Sequence, residues 1–442
     1  MRVLVIAHGH PAFSIGGAEV AAHNLFRGLN QSGRAEAYFL ARALSPTPRH
    51  AETSLMSLRQ GEREVFLHTD AWLEFWLSNE QPEEMIEGLS RYVRLVRPDV
   101  VHFHHVIGLG MEALAAIRRL LPDASIVVTF HEYLAICHNH GQMVRHPRRT
   151  LCQEASPASC AGCFPEHTPG AFFQREMFIK DHLALAAAYV SPSRFLIERY
   201  VAWGLPAEKF MLIENGLDRG TIASARPLPA GGRRDRFGYF GQLTEFKGLL
   251  VLLEAVRRVP EMIWGDATLC LFGANLEWQP AAFRAGYEKL LEQVGPRVRV
   301  YGSYRAEELP RLMAQVDWVV MPSIWWENSP IVIQEAFLHG RPPIVSDIGG
   351  MAEKVRADID GLHFRVGSPE DLAGVLARAL SEDGLCERLA AAARPPPDLA
   401  GYAAAHLGLY RHLQTGGVPA SVPRSQRKAR PRNKAAKERQ LA

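Results

Sequence analysis

Two doubly wound α/β domains facing each other across a cleft are the fold class that the sequence predicts. Three observations carry that expectation. Short apolar runs alternate with amphipathic helical segments along most of the chain, the pattern of parallel sheets covered on both faces. At 442 residues the chain exceeds what one ordinary core organises. Its middle, Ala225 to Arg236, shifts to Pro, Gly and Arg, the composition of a linker. The expected division is residues 1–224, a linker at 225–236, residues 237–397, a terminal helix at 398–415 and a tail at 416–442.

The first half opens with a buried strand, Val3 to Ala7, then a polar loop containing His8, His10 and the pair Gly16-Gly17. Val20, Leu25, Phe26 and Leu29 recur at helical spacing behind it. Adjacent glycines at a helix start are either a plain tight turn or a place where a ligand approaches the backbone. Further strands are expected at Ala37–Leu40, Val65–His68, Val100–His104, Ser125–Phe130, Tyr189–Ser193 and Met211–Ile213. Helices are expected at Met85–Val96, Gly110–Leu121, Phe172–Ala188 and Phe195–Val201. Ligands of such sheets sit beyond the C-terminal ends of strands. His8, His104, His105 and His131 all stand at such ends. By type each is more often a structural hydrogen-bonding residue than a catalyst; strand-end placement raises His131 above the others, because it heads a loop with no obvious packing role.

Residues 137–167 interrupt the alternation. Cys137, Cys152, Cys160 and Cys163 lie there, the last two as Cys-x-x-Cys. That spacing is a zinc half-site which the other two thiols would close into a tetrahedron, ordering a polar, basic segment; a disulfide or free thiols are the alternatives. Four thiolates would leave no open position, so such a zinc would be structural and not catalytic.

The second half begins with the glycine-laced strand Phe237 to Gly241. The loop Gln242 to Gly248 and the helix Leu249–Val259 follow. Lys247 lies just ahead of that helix, where a cation alone is unfavourable, so it implies a phosphate between itself and the helix dipole; a solvated surface lysine is the plain alternative. Strands are expected at Leu269–Phe272, Val298–Tyr301, Trp318–Met321, Pro343–Ser346 and Leu362–Val366. Helices alternate with them at Ala281–Val294, Glu307–Gln315, Glu370–Leu380 and Leu385–Ala393, and Ala400–Leu413 is the terminal helix. The stretch after Met321 organises this half: Pro322, Ser323, two tryptophans, Glu327, Asn328, Ser329, Pro330 and, further on, Glu335. Asn328 and Ser329 are the expected N-cap and Pro330 the first helical residue. A strand ending in a sharp turn against a helix start is an anion site. Two flanking carboxylates suit hydroxyl groups on either side of that anion. A ligand with a sugar, phosphates and a ribose matches this order. Asp358-Ile359-Asp360 has the pattern of a metal–diphosphate site, but the following Gly361 favours a turn.

Composition excludes several classes. The chain is 47% hydrophobic and 22% charged, a globular balance. The opening apolar run is too short for a signal peptide, and no run approaches membrane-spanning length. Six cysteines without an export signal point to thiols or a metal. The net charge of +3 hides an asymmetry: eight of the 50 basic and one of the 47 acidic residues follow position 423, leaving 42 against 46 and a net of −4. The tail therefore reads as a solvated end or as a segment drawn to anionic lipid headgroups. Nothing else supports nucleic-acid binding. A cytoplasmic protein, peripheral at the inner face of a membrane, is the expected setting.

The motifs together resemble the family 4 retaining glycosyltransferases of the GT-B fold, over most of residues 1–413. The matching segments are Gly16 to Glu19, His131-Glu132-Tyr133, Asn215 to Asp218, Gly241 to Gly248, Gly349 to Glu353, and Glu327 with Glu335 seven residues on. The resemblance implies two Rossmann-like domains, an acceptor-side first half and a nucleotide-sugar-binding second half. It implies that Glu327 binds hydroxyls of the transferred sugar, Glu335 the ribose, and Lys247 the diphosphate. It further implies that the backbone of Ser329, Pro330, Ile331 and Val332 caps the phosphates, and that Gly16 and Gly17 line them from the other domain. Asn215 and Gln242 join the substrate-binding set, and His131 meets the sugar or reacting oxygens. The family typically needs no metal for catalysis. One departure is Gln242, where the family usually places Arg; Arg305 or a linker arginine is the available substitute.

The implied reaction moves a sugar from a UDP- or GDP-linked donor to a glycan or lipid-linked acceptor, in cell-surface polysaccharide or glycoconjugate synthesis. Retention needs either a carboxylate nucleophile, for which only Glu132 is at hand, or a same-face reaction in which the leaving phosphate takes the acceptor's proton. Another GT-B enzyme (a nucleotide-sugar epimerase or a phosphorylase) and a silent nucleotide-sugar-binding subunit are the alternative readings.

Overall fold

The computed structural model describes residues 1–13, 16–43, 53–57, 63–69, 72–147 and 149–417. The basic tail, on which the membrane expectation rests, lies outside the described residues.

The first sheet has eight strands: β1 (Arg2–Ala7), β2 (Glu36–Ala43), β3 (Leu55–Ser57), β4 (Glu64–His68), β5 (Val100–Phe103), β6 (Ser125–Thr129), β7 (Ala188–Ser191) and β8 (Phe210–Leu212). Their order is β8-β7-β6-β5-β1-β2-β4-β3, parallel throughout except for the edge pair β3 and β4. The second sheet has six parallel strands: β9 (Arg236–Phe240), β10 (Thr268–Phe272), β11 (Val298–Gly302), β12 (Trp318–Met321), β13 (Pro343–Ser346) and β14 (Leu362–Phe364), in the order β11-β10-β9-β12-β13-β14. The central strands are buried on both faces, as continuous runs such as Val3 to Ile6 and Trp318 to Val320 demand. Helices cover the sheets, making α/β layers with separate cores. The strand order reverses between β1 and β5 in one sheet and between β9 and β12 in the other. Loops leaving these strands are where ligands of doubly wound sheets bind.

Two features were not legible in sequence. The linker is no free hinge. Arg226 and Arg234 pair with buried Asp317 at 2.7 and 3.2 Å, and Arg226 also reaches Asp235 at 2.9 Å. The terminal helix Leu399–Gln414 returns to the first sheet, where Tyr402, Ala403, Leu407 and Tyr410 join its core. Arg-rich composition marks the linker, but its charges serve packing onto the second domain.

Smaller departures have local causes. The expected helix Glu307–Gln315 is a 3₁₀ turn, Ala306–Glu308, followed by Leu309–Met313, with Pro310 at the helix start. The expected turn at residues 358–360 is present: Asp358 has φ 61°, and the Asp360 carboxylate accepts from the backbone N–H of Arg356 at 2.6 Å.

Candidate active site

Two loops from the second sheet form the centre. One leaves β9 and ends at Gly248, ahead of the helix Leu249–Arg258; the other leaves β12 and ends at the helix Ile331–Leu338. They touch closely. Gly248 has φ 72°, and a Cβ there would run into the Pro322 carbonyl. Glycine is what lets Lys247 lie over the second loop. Its Nζ sits 2.6 Å from Glu327 Oε1 and 5.6 Å from the Trp325 ring centre. Ser323 Oγ and Trp325 Nε1 donate to the same oxygen at 2.8 Å each. Three donors, one of them a cation, converge on Oε1 of a buried carboxylate. The sequence located Lys247 and Glu327 at the site, but their mutual pairing and the roles of Ser323 and Trp325 emerge only from the fold.

The helix start is displaced by one residue from the expected position. Pro330 is the N-cap, extended at φ −62° and ψ 121°, and Ile331 is the first helical residue. Asn328 does not cap. Its Nδ2 donates to the His131 carbonyl at 3.1 Å, and its Oδ1 accepts from Ser193 Oγ, so the side chain ties the two domains together. Without a capping side chain, the N–H groups of Ile331 and Val332 make no backbone hydrogen bond, and Ser329 Oγ is buried without a partner. These are groups that an anion would satisfy. Gly17 faces them: a Cβ there would lie 3.6 Å from Ile331 Cδ1. Gly16 is the N-cap of the helix Gly17–Gln31, in extended conformation.

Glu335 lies one turn further in. Desolvation raises its carboxyl to about 7, and no side-chain partner relieves it among the described residues. Asn215 is buried, and its carbonyl accepts from Gln334 Nε2 at 2.9 Å, so it joins the domains through its backbone, with Oδ1 unpartnered. Gln242 is exposed; its carbonyl accepts from the Tyr239 hydroxyl at 2.5 Å. None of the three arginines weighed for that charge is free for it, while Arg149 reaches the same loop at Glu245. Arg305 is exposed beside Glu308, and the linker arginines Arg226 and Arg234 are engaged at Asp317.

On the first domain His131 follows β6. Its Nε2 is 3.0 Å from His104 Nδ1, and the two rings stack at 25°. Burial, then the imidazoles of His105 and His8, drive it down to about 3, so it is neutral at physiological pH. Glu132 is not free to act as a nucleophile. One carboxylate oxygen accepts from the Leu134 N–H, and the other sits 3.3 Å from His105 Nε2. Across the interface, the Glu353 carboxylate accepts from the N–H groups of Arg194 and Phe195 at 2.8 Å each, at the start of the helix Arg194–Ala202. The sequence drew notice to Glu353 within its motif but not to this contact.

The geometry of the cysteine segment lends the expected zinc tetrahedron no support. Cys137, Cys152, Cys160 and Cys163 line one cavity with His138, yet no three of these groups bring ligand atoms within 4.8 Å of one another. Arg175, buried in the helix Pro169–Ala184, donates to the carbonyls of Phe75, Leu134 and Ala135 at 2.6 to 2.8 Å and ties the chain just ahead of Cys137 to the loop at Phe75. Among the described residues, His10, His23 and Glu64 do gather their ligand atoms. There the Ala12 N–H donates to His10 Nδ1 at 3.1 Å, which keeps the proton on His10 Nε2, 2.8 Å from Glu64. That nitrogen is a donor to the carboxylate and not a metal ligand.

Two facing α/β domains with reversal-point loops across a cleft define the class of GT-B glycosyltransferases. Structures of that class align along nearly the whole chain: Anabaena HepE in complex with UDP and glucose at TM-score 0.63, 16% identity, 93% of this chain and 99% of that one; and sucrose-phosphate synthase from Thermosynechococcus elongatus at TM-score 0.67, 19% identity, 94% and 100%. The family described as "Glycosyltransferase Family 4" matches residues 15–220, and "Glycosyl transferases group 1" matches residues 224–395. The chain belongs to the family 4 glycosyltransferases and uses nucleotide-sugar donors. It is similar to D-inositol 3-phosphate glycosyltransferase of Xylanimonas cellulosilytica, 28% identical over 71% of each chain, and to glycogen synthase of Mycobacterium tuberculosis, 25% identical over 89% of each. Among the described residues no helix is long and apolar enough to cross a membrane.

Proposed function

We propose that this glycosyltransferase moves a hexose from a UDP- or GDP-linked donor, with retention, onto a glycan or lipid-linked acceptor in cell-surface polysaccharide or glycoconjugate assembly. The observation that carries the reading is the pairing of Lys247 with Glu327 beside the uncapped start of the helix Ile331–Leu338. In the free protein the two charges satisfy each other. A donor offers each a better partner: diphosphate for the ammonium, sugar hydroxyls for the carboxylate. Glu335 takes the ribose, and the N–H groups of Ile331 and Val332, with Ser329 and Pro330 beside them, receive the phosphates opposite Gly16 and Gly17. Asn215 and Gln242 are assigned to the same cleft.

Negative charge builds on the diphosphate as the anomeric C–O bond breaks. Lys247 and the helix N-terminus oppose it with fixed positive potential, and this reading routes no step through a metal. The acceptor oxygen bonds to the anomeric carbon on the face that the phosphate leaves, and the acceptor's proton passes to the phosphate oxygen. The engagement of Glu132 by Leu134 and His105 favours this route over a covalent one.

The test is a thermal-shift panel of nucleoside diphosphates followed by transfer assays. A uridine or guanosine diphosphate is expected to stabilise the protein, and Glu327→Ala and Lys247→Ala to cut transfer by about 10²-fold or more with the fold intact. Wild-type rates in either variant overturn the reading. The basic tail would hold the protein at an anionic inner-membrane face in the cytoplasm, near lipid-linked acceptors. Anionic liposomes should sediment more of the full chain than of one ending at Gly417; equal partitioning removes the membrane contact.

A further inference from the structure

His104 ends β5 at the reversal point of the first sheet, buried directly behind His131. One hydrogen bond joins them, between His104 Nδ1 and His131 Nε2. The other nitrogen of His104, Nε2, is buried and has no partner. His131 itself is only half-buried, and with Nε2 engaged its other nitrogen, Nδ1, is the one free to meet a ligand.

Two neutral arrangements can share the bond. In one, His131 Nε2–H donates to His104 Nδ1. His104 then carries its own proton on Nε2, a buried N–H with nothing to receive it. In the other, His104 Nδ1–H donates to His131 Nε2, and the unpartnered His104 Nε2 is a bare lone pair. Buried N–H groups without partners are rarer in folded proteins than under-used acceptors, so the second arrangement is preferred. A charged arrangement is opposed by the surroundings. His104 packs near His102, His105 and His406, and His131 near His8, His105 and His406, with Glu19 the carboxylate that pulls the other way.

We propose that His104 is a positioning residue that fixes the proton of His131 on Nδ1, making His131 a neutral hydrogen-bond donor to an oxygen of the donor sugar or its leaving phosphate. The inference rests on the functional reading above and deepens it. With its lone pair turned to His104, His131 cannot take the acceptor's proton, which leaves that proton to the phosphate.

Long-range ¹H–¹⁵N spectra of histidine rings, assigned through single variants, read the tautomer directly in nucleotide-free protein. The expected result is Nδ1–H on both His104 and His131. Nε2–H on His131 overturns the proposal. In kinetics, His104→Ala should lower kcat about tenfold, the scale of one lost hydrogen bond, with donor KM little changed. His104→Asn should restore most of it, because its amide N–H stands near the Nδ1 position. Wild-type kcat in folded His104→Ala overturns the positioning role; if that variant does not fold, the wild-type spectrum decides. Absence of any transfer by the wild-type chain would instead sink the functional reading while leaving the tautomer standing, so the two failures are distinguishable.

Discussion

The two walls of the cleft are built on opposite electrical principles. The second domain presents charge: an ammonium, a carboxylate holding three donors, and a helix start with free N–H groups. The first domain presents buried rings, His104, His105 and His131 backed by His102 and His406, whose charged forms burial opposes. A charged wall suits a diphosphate, whose charge grows during transfer. A neutral wall suits an acceptor side that must orient hydroxyls without competing for their protons. The difference teaches that pH and salt should act on this site through one wall only.

The largest break expected in that contrast is on the charged wall. Removing Lys247 (Lys247→Ala) should cost on the order of 10²–10³ in kcat, the usual loss for one donor aimed at developing charge. Glu327→Gln should cost a similar factor while freeing Lys247 from its partner, so nucleoside diphosphate binding should hold or tighten even as transfer fails. Titration calorimetry on the two variants separates these outcomes. Equal weakening of diphosphate binding in both would mean that the pair acts as one structural unit.

Next is the joint between the walls. Arg199 lies 4.8 Å from the ring centres of both Phe195 and Trp326, and it donates to the Gln153 carbonyl at 2.5 Å. Trp326 Nε1 donates to the Cys152 carbonyl at 3.0 Å. The cysteine segment thus braces the residue before Glu327. Trp326→Phe keeps an aromatic ring but removes the bond together with part of the buried indole. A fall of about fivefold to tenfold in kcat is expected, with a modest fall in melting temperature. A large melting shift with normal kcat would make the segment a stabiliser alone.

The tie just ahead of that segment, at Arg175, is a stability matter. Arg175→Met leaves three buried carbonyls without their donor, and loss of about 3 kcal/mol by urea denaturation is expected. An unchanged midpoint would show that these three bonds add nothing to stability.

How much of this was legible in sequence follows the same division. Lys247, Glu327 and Glu335 could be placed because each lies within a few residues of a strand end or helix start, and local chemistry points to phosphate and hydroxyls. The alternation of strands and helices foretold both sheets, since buried parallel strands leave continuous apolar runs. What failed depended on partners distant in the chain. Asn328 looks like a cap until Ser193 and the His131 carbonyl claim its amide. The bonds from Arg175 to the carbonyls of Phe75, Leu134 and Ala135 likewise join residues far apart in the chain. The bond between His104 and His131 spans two strands, and no local pattern marks it.

The smallest effect expected sharpens the contrast through pH. Glu335 belongs to the charged wall, yet desolvation holds its carboxyl near 7 in the free protein, against an ordinary value of 4.5. Below pH 4.5 both folded and unfolded chains carry it neutral. As pH rises toward 7 the unfolded chain ionises it and the folded one resists, so native stability drops across that window and then levels. Glu335→Gln should therefore stabilise the nucleotide-free protein by about 1–2 kcal/mol at pH 8 and leave it unchanged near pH 4, the full shift being discounted for the residue's partial exposure. Donor binding runs the other way, because ribose hydroxyls need the ionised carboxylate as acceptor. Diphosphonucleoside affinity should fall about tenfold from pH 8 to pH 6 in the wild type. The Glu335→Gln variant retains the nucleotide's own phosphate titration and serves as the control, with a flatter profile expected. Parallel profiles would take Glu335 off the ribose. A residual step in the Glu335→Gln profile beyond the nucleotide's own would point to a titrating group on the wall assigned here as neutral.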